Sequence, residues 1–319
     1  MFRNKIKRAA FFSLILLISA AVFMPTAVEA LEVNVRAPAA PAAIPFLWMQ
    51  EEGKIPEAVD FNLNLSSDHQ RGISLISQNE IEFLITGSNV AANAYNRGTN
   101  LKMLNINTWA IDYLLTNDFK ADNWEDLKGK SLALPIQGGP LDFLARYLLD
   151  KNDVDPENVN FVYRALPGAS QYFMAGNVDS IILPEPLATV TLEKSDQAVL
   201  SLDIQKEWGK IHGDDRIPFV GLFVNGEFAE ENSQIVDVFN GLYEQGVSWV
   251  NENPDQAAEL AAEKFDIPAP ILKKSMQRVN LNIYSDQESR EITELYFSEI
   301  LEMYPEMLGG SMIDEEFYY

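Results

Sequence analysis

The chain contains no cysteine. Disulfides, zinc–thiolate centres, iron–sulfur clusters and cysteine nucleophiles are therefore excluded. Histidine is almost as scarce: only His69 and His212 occur, too few for a histidine-rich metal site. Basic residues are short as well, with 24 Lys and Arg against 47 Asp and Glu, a net charge of −23. So acidic a chain is unsuited to nucleic acid or an anionic membrane surface. There is no Gly-x-Ser-x-Gly elbow, no phosphate-binding P-loop and no His-Glu-x-x-His. Carboxylates are plentiful, but no pair stands out as an acid/base couple. No metal site and no cofactor are expected.

What is present is a chain of 319 residues, 47% hydrophobic and 22% charged. That is enough for two domains with real cores. One long apolar run, Ala9 to Met24, follows Arg3, Lys5, Lys7 and Arg8 and is followed by Val28-Glu29-Ala30. This reads as a cleavable signal peptide over residues 1–30. No cysteine is available for a lipid anchor, so the expected location is the periplasm. Losing Arg3, Lys5, Lys7, Arg8 and Glu29 moves the net charge from −23 to −26.

Beyond the leader, short alternating or apolar runs are separated by helical patterns. Strands are expected over 32–37, 59–65 and 83–86, with helices over 44–52, 69–78 and 90–96 between and after them. Ser66-Ser67-Asp68 supplies caps for the second helix. Further strands are expected over 101–106 and 111–116, with Asn107-Thr108-Trp109 between them as the passage to a second domain. That domain repeats the pattern with strands over 131–136, 159–164, 180–183 and 199–202. The chain returns over 205–219 to a strand at 219–224. Helical stripes follow, Ile235 to Val250 and Ile292 to Tyr304, and the tail Asp314-Glu315-Glu316 is expected in solvent. Strand–helix alternation calls for mostly parallel sheets flanked by helices. The stretch Lys130 to Leu148 is the clearest unit: a strand, the turn Gln137-Gly138-Gly139, then a helix opened by Pro140. Such a turn offers backbone N–H groups to an anion or carbonyl, or is an ordinary connection.

Several segments carry a resemblance: Asp126-Leu127-Lys128-Gly129-Lys130, Leu149 to Pro156, Ala175-Gly176-Asn177-Val178-Asp179, Leu183-Pro184-Glu185-Pro186, and Asn251-Glu252-Asn253-Pro254 with Ala257-Ala258. In this order they resemble the periplasmic solute-binding proteins of ABC importers for nitrate, sulfonate, taurine and related solutes, a group that includes thiamine-pyrimidine binders. The resemblance spans roughly residues 32–280. It implies a two-lobed fold with two hinge crossovers, lobe 1 being residues 31–108 plus 217–319 and lobe 2 residues 109–216. It implies a monomer that passes a small solute to an inner-membrane permease with its cytoplasmic ATPase.

Four loops are expected to converge on that solute. They are Pro38-Ala39 and onward to Pro41; Thr86-Gly87-Ser88-Asn89; Gln137-Gly138-Gly139; and Glu185, in the position of the family's Glu-Pro pair. Thr86, Ser88 and Asn89 either bind or cap their helix. Glu185 either faces the solute or is a structural acid, pairing across the hinge or capping. Asn107 and Trp109 lie at the crossover, where Trp109 is a ligand wall or a packed hinge residue. Arg164 is an anion partner or a surface ion pair. These loops hold few basic groups, which leaves a neutral or zwitterionic solute as open as an anion. Two other functions share the fold: an enzyme related to thiamine-pyrimidine synthesis, whose cysteine-rich segment this chain lacks, and a sensor that presents its ligand to a receptor.

Overall fold

A computed structural model describes residues 30–319. The signal-peptide expectation falls outside the described residues, apart from Ala30. No helix among the described residues is long and apolar enough to cross a membrane.

The chain begins β1 (Leu31–Ala37), α1 (Ile44–Glu51), β2 (Val59–Leu65), α2 (His69–Ser77), β3 (Phe83–Gly87), α3 (Ser88–Asn96) and β4 (Leu101–Ala110). It continues β5 (Asp112–Asn117), β6 (Ser131–Leu134), α4 (Pro140–Lys151), β7 (Asn160–Tyr163), α5 (Gly168–Met174), β8 (Ser180–Pro184), α6 (Leu187–Lys194) and β9 (Ala198–Asp203). It returns through α7 (Ile204–His212) to β10 (Val220–Asn225), and then α8 (Gly226–Glu231), α9 (Ser233–Glu252), α10 (Pro254–Phe265), α11 (Ala269–Met276), β11 (Asn280–Leu281) and α12 (Asp286–Met303).

These strands form two sheets, ordered β11-β4-β10-β3-β1-β2 and β7-β6-β8-β5-β9. Both are mixed, where alternation alone predicts mostly parallel ones. β1 pairs with β3, and β6 with β7 and β8, in parallel. The antiparallel pairs all involve the strands that carry the chain between sheets or β11. The cause is topological. The chain leaves the first sheet on β4 and returns on β10, so those neighbours run in opposite directions; β5 enters the second sheet and β9 leaves it.

That connectivity positions the site. On the first sheet Val220 stands opposite both Gly87, the last residue of β3, and Thr108 of β4. On the second, Asp112 stands opposite Pro184, the last residue of β8. Only four residue steps separate Thr108 from Asp112, a reach of about 13 Å at most. The carboxyl ends of β3 and β8 therefore face each other across the crossovers. Loops at such edges, with helices starting behind them, are where open α/β sheets take ligands.

Among the described residues, one core joins Trp109, Leu114, Phe143, Trp208, Tyr296, Phe297 and Ile300, and another joins Tyr113, Leu115, Phe173, Ile181 and Ala188. Tyr296 of α12 packs edge-on against Phe143 of α4 and Trp208 of α7, at 5.9 and 5.7 Å between ring centres. Gly221 lets β10 approach β4 closely: a Cβ there would stand 2.7 Å from the Asn105 carbonyl. Gly221→Val should cost about 1–3 kcal/mol, seen as a lower urea midpoint; an unchanged midpoint would show that β4 gives way freely.

Some expectations are corrected. β4 runs on through Asn107, Thr108 and Trp109, because β10 and β11 both pair along it. Helix α7 lies where the sequence reading has only a returning stretch. Val238 and Leu295, counted in core stripes, are exposed. The acidic tail Asp314-Glu315-Glu316 is exposed as expected, while Tyr95 donates to Asp314, Arg290 pairs with Glu315, and the neighbouring Phe317 is buried.

Candidate ligand site at the crossovers

The first-sheet loops are small or already engaged. Pro38 and Ala39 are half-buried, and the Pro38 carbonyl accepts the Ala40 N–H at 2.9 Å. Asp68 caps α2 by accepting the Arg71 N–H. The next residue, His69, places Nδ1 2.9 Å from the Thr86 hydroxyl. Burial pushes the His69 imidazole below its usual range, which favours the neutral ring.

The helix N-cap at α3 is Gly87, so neither Thr86 nor Ser88 caps it. Ser88 instead grips the returning crossover: its N–H donates to the Phe219 carbonyl at 3.0 Å and its hydroxyl to the Pro218 carbonyl at 2.5 Å. Asn89 is buried, and its side-chain amide makes no hydrogen bond among the described residues. Asn107 is buried in an amide chain: Thr108 Oγ1 donates to its Oδ1, and its Nδ2 donates to Asn105 Oδ1 at 3.3 Å.

Trp109 is a packed crossover residue and not an open wall. It is fully buried, its Nε1–H donates to the Asn282 carbonyl at 2.9 Å, and its ring meets Tyr284 edge-on.

The second-sheet turn is occupied by the chain itself. Gly138 has φ +68°, as a left-handed turn residue does. Its N–H donates to Asp142 Oδ2 at 2.8 Å, and the Gly139 N–H donates to the Ile136 carbonyl at 3.2 Å. Asp142, buried in the first turn of α4, also takes Arg146 Nε and the Tyr163 hydroxyl, each at 2.9 Å. The anion-ready turn thus holds an internal carboxylate. Gln137 is exposed beside it. Arg164 is exposed too, its guanidinium lying 3.9 Å over the Tyr172 ring, with no acidic partner among the described residues.

Glu185 fills both structural roles at once. Its carboxylate accepts the Thr189 N–H and hydroxyl in the first turn of α6, and it pairs with Arg278 Nη1 at 3.3 Å. Burial raises its pKa, while the Thr189 and Arg278 bonds pull the other way. Its own N–H donates to the Ile111 carbonyl, tying this loop to the outgoing crossover.

With that geometry in place, likeness to known proteins becomes informative. The family model described as NMT1/THI5 like matches residues 56–257. The chain belongs to that family.

Solved structures resemble this NMT1/THI5-like protein throughout. An ABC transporter structure from Parabacteroides distasonis superposes with a TM-score of 0.74 at 20% identity, covering 91% of this chain and 99% of its own. The periplasmic aliphatic sulphonate binding protein SsuA from Escherichia coli gives 0.68 at 14%, covering 86% and 88%. The periplasmic nitrate-binding protein NrtA from Synechocystis PCC 6803 gives 0.68 at 12%, covering 90% and 87%. Among curated sequences, YtlA of Bacillus subtilis (strain 168) is 19% identical over 235 residues, 70% of this chain and 67% of YtlA. The shared fold is that of two-lobed periplasmic binding proteins.

Three residues beside these loops escape the sequence reading: Asp112, Asp142 and Arg278. Asp112 had a visible signal, a lone charge inside the apolar run Ile111 to Leu115. Asp142 sits at N3 of a helix, where an acid is ordinary. Arg278 lies 93 residues from Glu185, and no local pattern links them.

Proposed function

We propose that this protein is the substrate-binding component of an ABC-type importer, with no chemistry of its own. It closes its two lobes on a small polar solute and delivers it to a membrane permease and its cytoplasmic ATPase. The reading places the mature protein in the periplasm as a monomer. Its chief support is the register that turns the carboxyl ends of β3 and β8 toward each other across Ile111 and Phe219. A second support is the likeness to binding proteins named for sulphonate and nitrate. The solute class is that of sulfonates, nitrate, taurine or a small heterocycle.

Within this reading the expected residues divide. Pro38, Ala39, Asn89 and Gln137 keep small or free polar surface for the solute. Thr86, Gly87, Asn107, Gly138 and Gly139 shape the walls. Ser88, Trp109 and Glu185 hold the crossovers, and Arg164 stays at the rim.

A thermal-shift screen on the purified mature protein tests it. One solute of these classes should stabilise by mass action, about 2.7 kcal/mol at a hundredfold excess over Kd. A protein that no such solute stabilises, yet that turns over a substrate, would overturn the proposal.

A further inference from the structure

We infer that Asp112 anchors a cationic N–H group of the captured solute, an ammonium or amidinium. This rests on the solute-capture reading above and narrows its substrate class.

Asp112 opens β5 where the chain passes between the lobes. Its backbone is fixed on two sides: its N–H donates to Gln205 Oε1 at 2.9 Å, and its carbonyl accepts from Gln205 Nε2 at 3.1 Å. Its side chain is fully buried, and neither carboxyl oxygen has a hydrogen-bond partner among the described residues. A buried carboxyl without donors is costly, and natural folds keep one only where something compensates.

The chain's own donors do not supply that compensation. Arg278 directs Nη1 to Glu185 and Thr189 and makes no bond to Asp112 among the described residues. The Tyr113 hydroxyl donates to the Arg278 carbonyl, and Gln205 Nε2 is shared between the Asp112 carbonyl and Asp203. Arg146 is spent on Asp142 and Tyr163. Four buried carboxyls among the described residues, Asp112, Asp142, Glu185 and Glu207, thus meet three cations, Arg146, Arg278 and Lys210. One positive charge is missing, and a cationic N–H group of the solute supplies it.

The same inventory disfavours an anionic group at the glycine turn. There it would meet Asp142, which already takes the Gly138 N–H. The groups facing Asp112 are Glu185, just after β8, and Tyr296 from α12, with Tyr113 next along the strand and Arg278 beyond Glu185. Burial first, and the Glu185 charge second, hold the Asp112 carboxyl well above the usual carboxylate range. Without solute it is a neutral acid; a cation expels its proton.

The test compares wild type with Asp112→Asn in two readouts. The first needs no solute. A neutral acid in the folded state binds a proton that the unfolded chain releases above about pH 4, so wild-type stability falls as pH rises from there. Asparagine lacks that loss. The variant's unfolding constant should drop relative to wild type by up to about tenfold per pH unit between about pH 4 and the raised value. A purely structural carboxylate gives the reverse, a variant less stable than wild type at neutral pH, and would overturn the inference.

The second readout is calorimetry with taurine and acetamidine against ethanesulfonate and nitrate. At least one of the probes that carry a cationic N–H group, taurine through its ammonium or acetamidine, should bind, should bind Asp112→Asn at least tenfold more weakly, and should release a proton from wild type, read as a buffer-dependent enthalpy. That proton release keeps the inference testable on wild type alone if the variant does not fold. Binding of only ethanesulfonate or nitrate, or binding with no proton release, overturns the inference and leaves solute capture standing. Silence from all four probes counts against capture itself, and the inference falls with it.

Discussion

Trp109→Ala should cost about 3–5 kcal/mol of folding stability, the range for emptying a buried tryptophan site. The indole lies wholly inside the core at the point where β4 becomes the crossover. It is held by the Asn282 carbonyl and by Tyr284, both just beyond β11. β11 pairs only with Thr108 and Ala110, on either side of this tryptophan. Removing the ring therefore leaves a hole and loosens the short strand that covers the crossover. Trp109→Phe keeps most of the ring but leaves the Asn282 carbonyl unpaired, and should lose about 1–3 kcal/mol. Urea denaturation followed by circular dichroism gives both values. A loss under about 1 kcal/mol for alanine would mean that the crossover does not depend on this packing.

Glu185→Leu is the second large effect. It leaves Arg278 without its carboxylate and removes the acceptor of the Thr189 N–H and hydroxyl. Removing one partner from a buried pair costs about 3–5 kcal/mol. Glu185→Gln keeps an acceptor for Thr189 and should cost less. The glutamine variant also removes one of the two causes that raise Asp112. Its Asp112 should therefore ionise at lower pH, visible by carbon-13 NMR of the carboxyl. An Asp112 titration unchanged in Glu185→Gln would show that the two acids do not sense each other. Equal losses for leucine and glutamine would place the energy in packing and not in the ion pair.

Much of the fold was legible because local rules agree with the final structure. Pro140 opens α4 and Asp68 caps α2, as their positions require. Strand β2 alternates over Val59–Leu65 and is found over those residues. The sheets' mixed character was less legible, since strand direction depends on which neighbours pair and not on local pattern. For the same reason β4 appeared to stop at Ile106: Asn107 and Thr108 look like a polar break, yet they sit buried in an amide chain between paired strands.

For the candidate site, the loops were more legible than what their atoms do. The loops at 86–89 and 137–139 were singled out from glycines, hydroxyls and helix starts, and Glu185 from the family resemblance. What those atoms do depends on distant partners. Ser88 meets Pro218 and Phe219 some 130 residues on, and Glu185 meets Arg278. The Gly138 turn looked open to an anion because its blocking carboxylate, Asp142, reads in sequence as a favourable helix acid.

The most direct measurement is a crystal structure of the mature protein purified without refolding and kept with its native solute. A solute wedged at the crossovers, touching the Asn89 loop of one sheet and Asp112 of the other, is what two facing carboxyl edges predict. A solute seated on one lobe alone, away from Ile111 and Phe219, would contradict capture between the lobes.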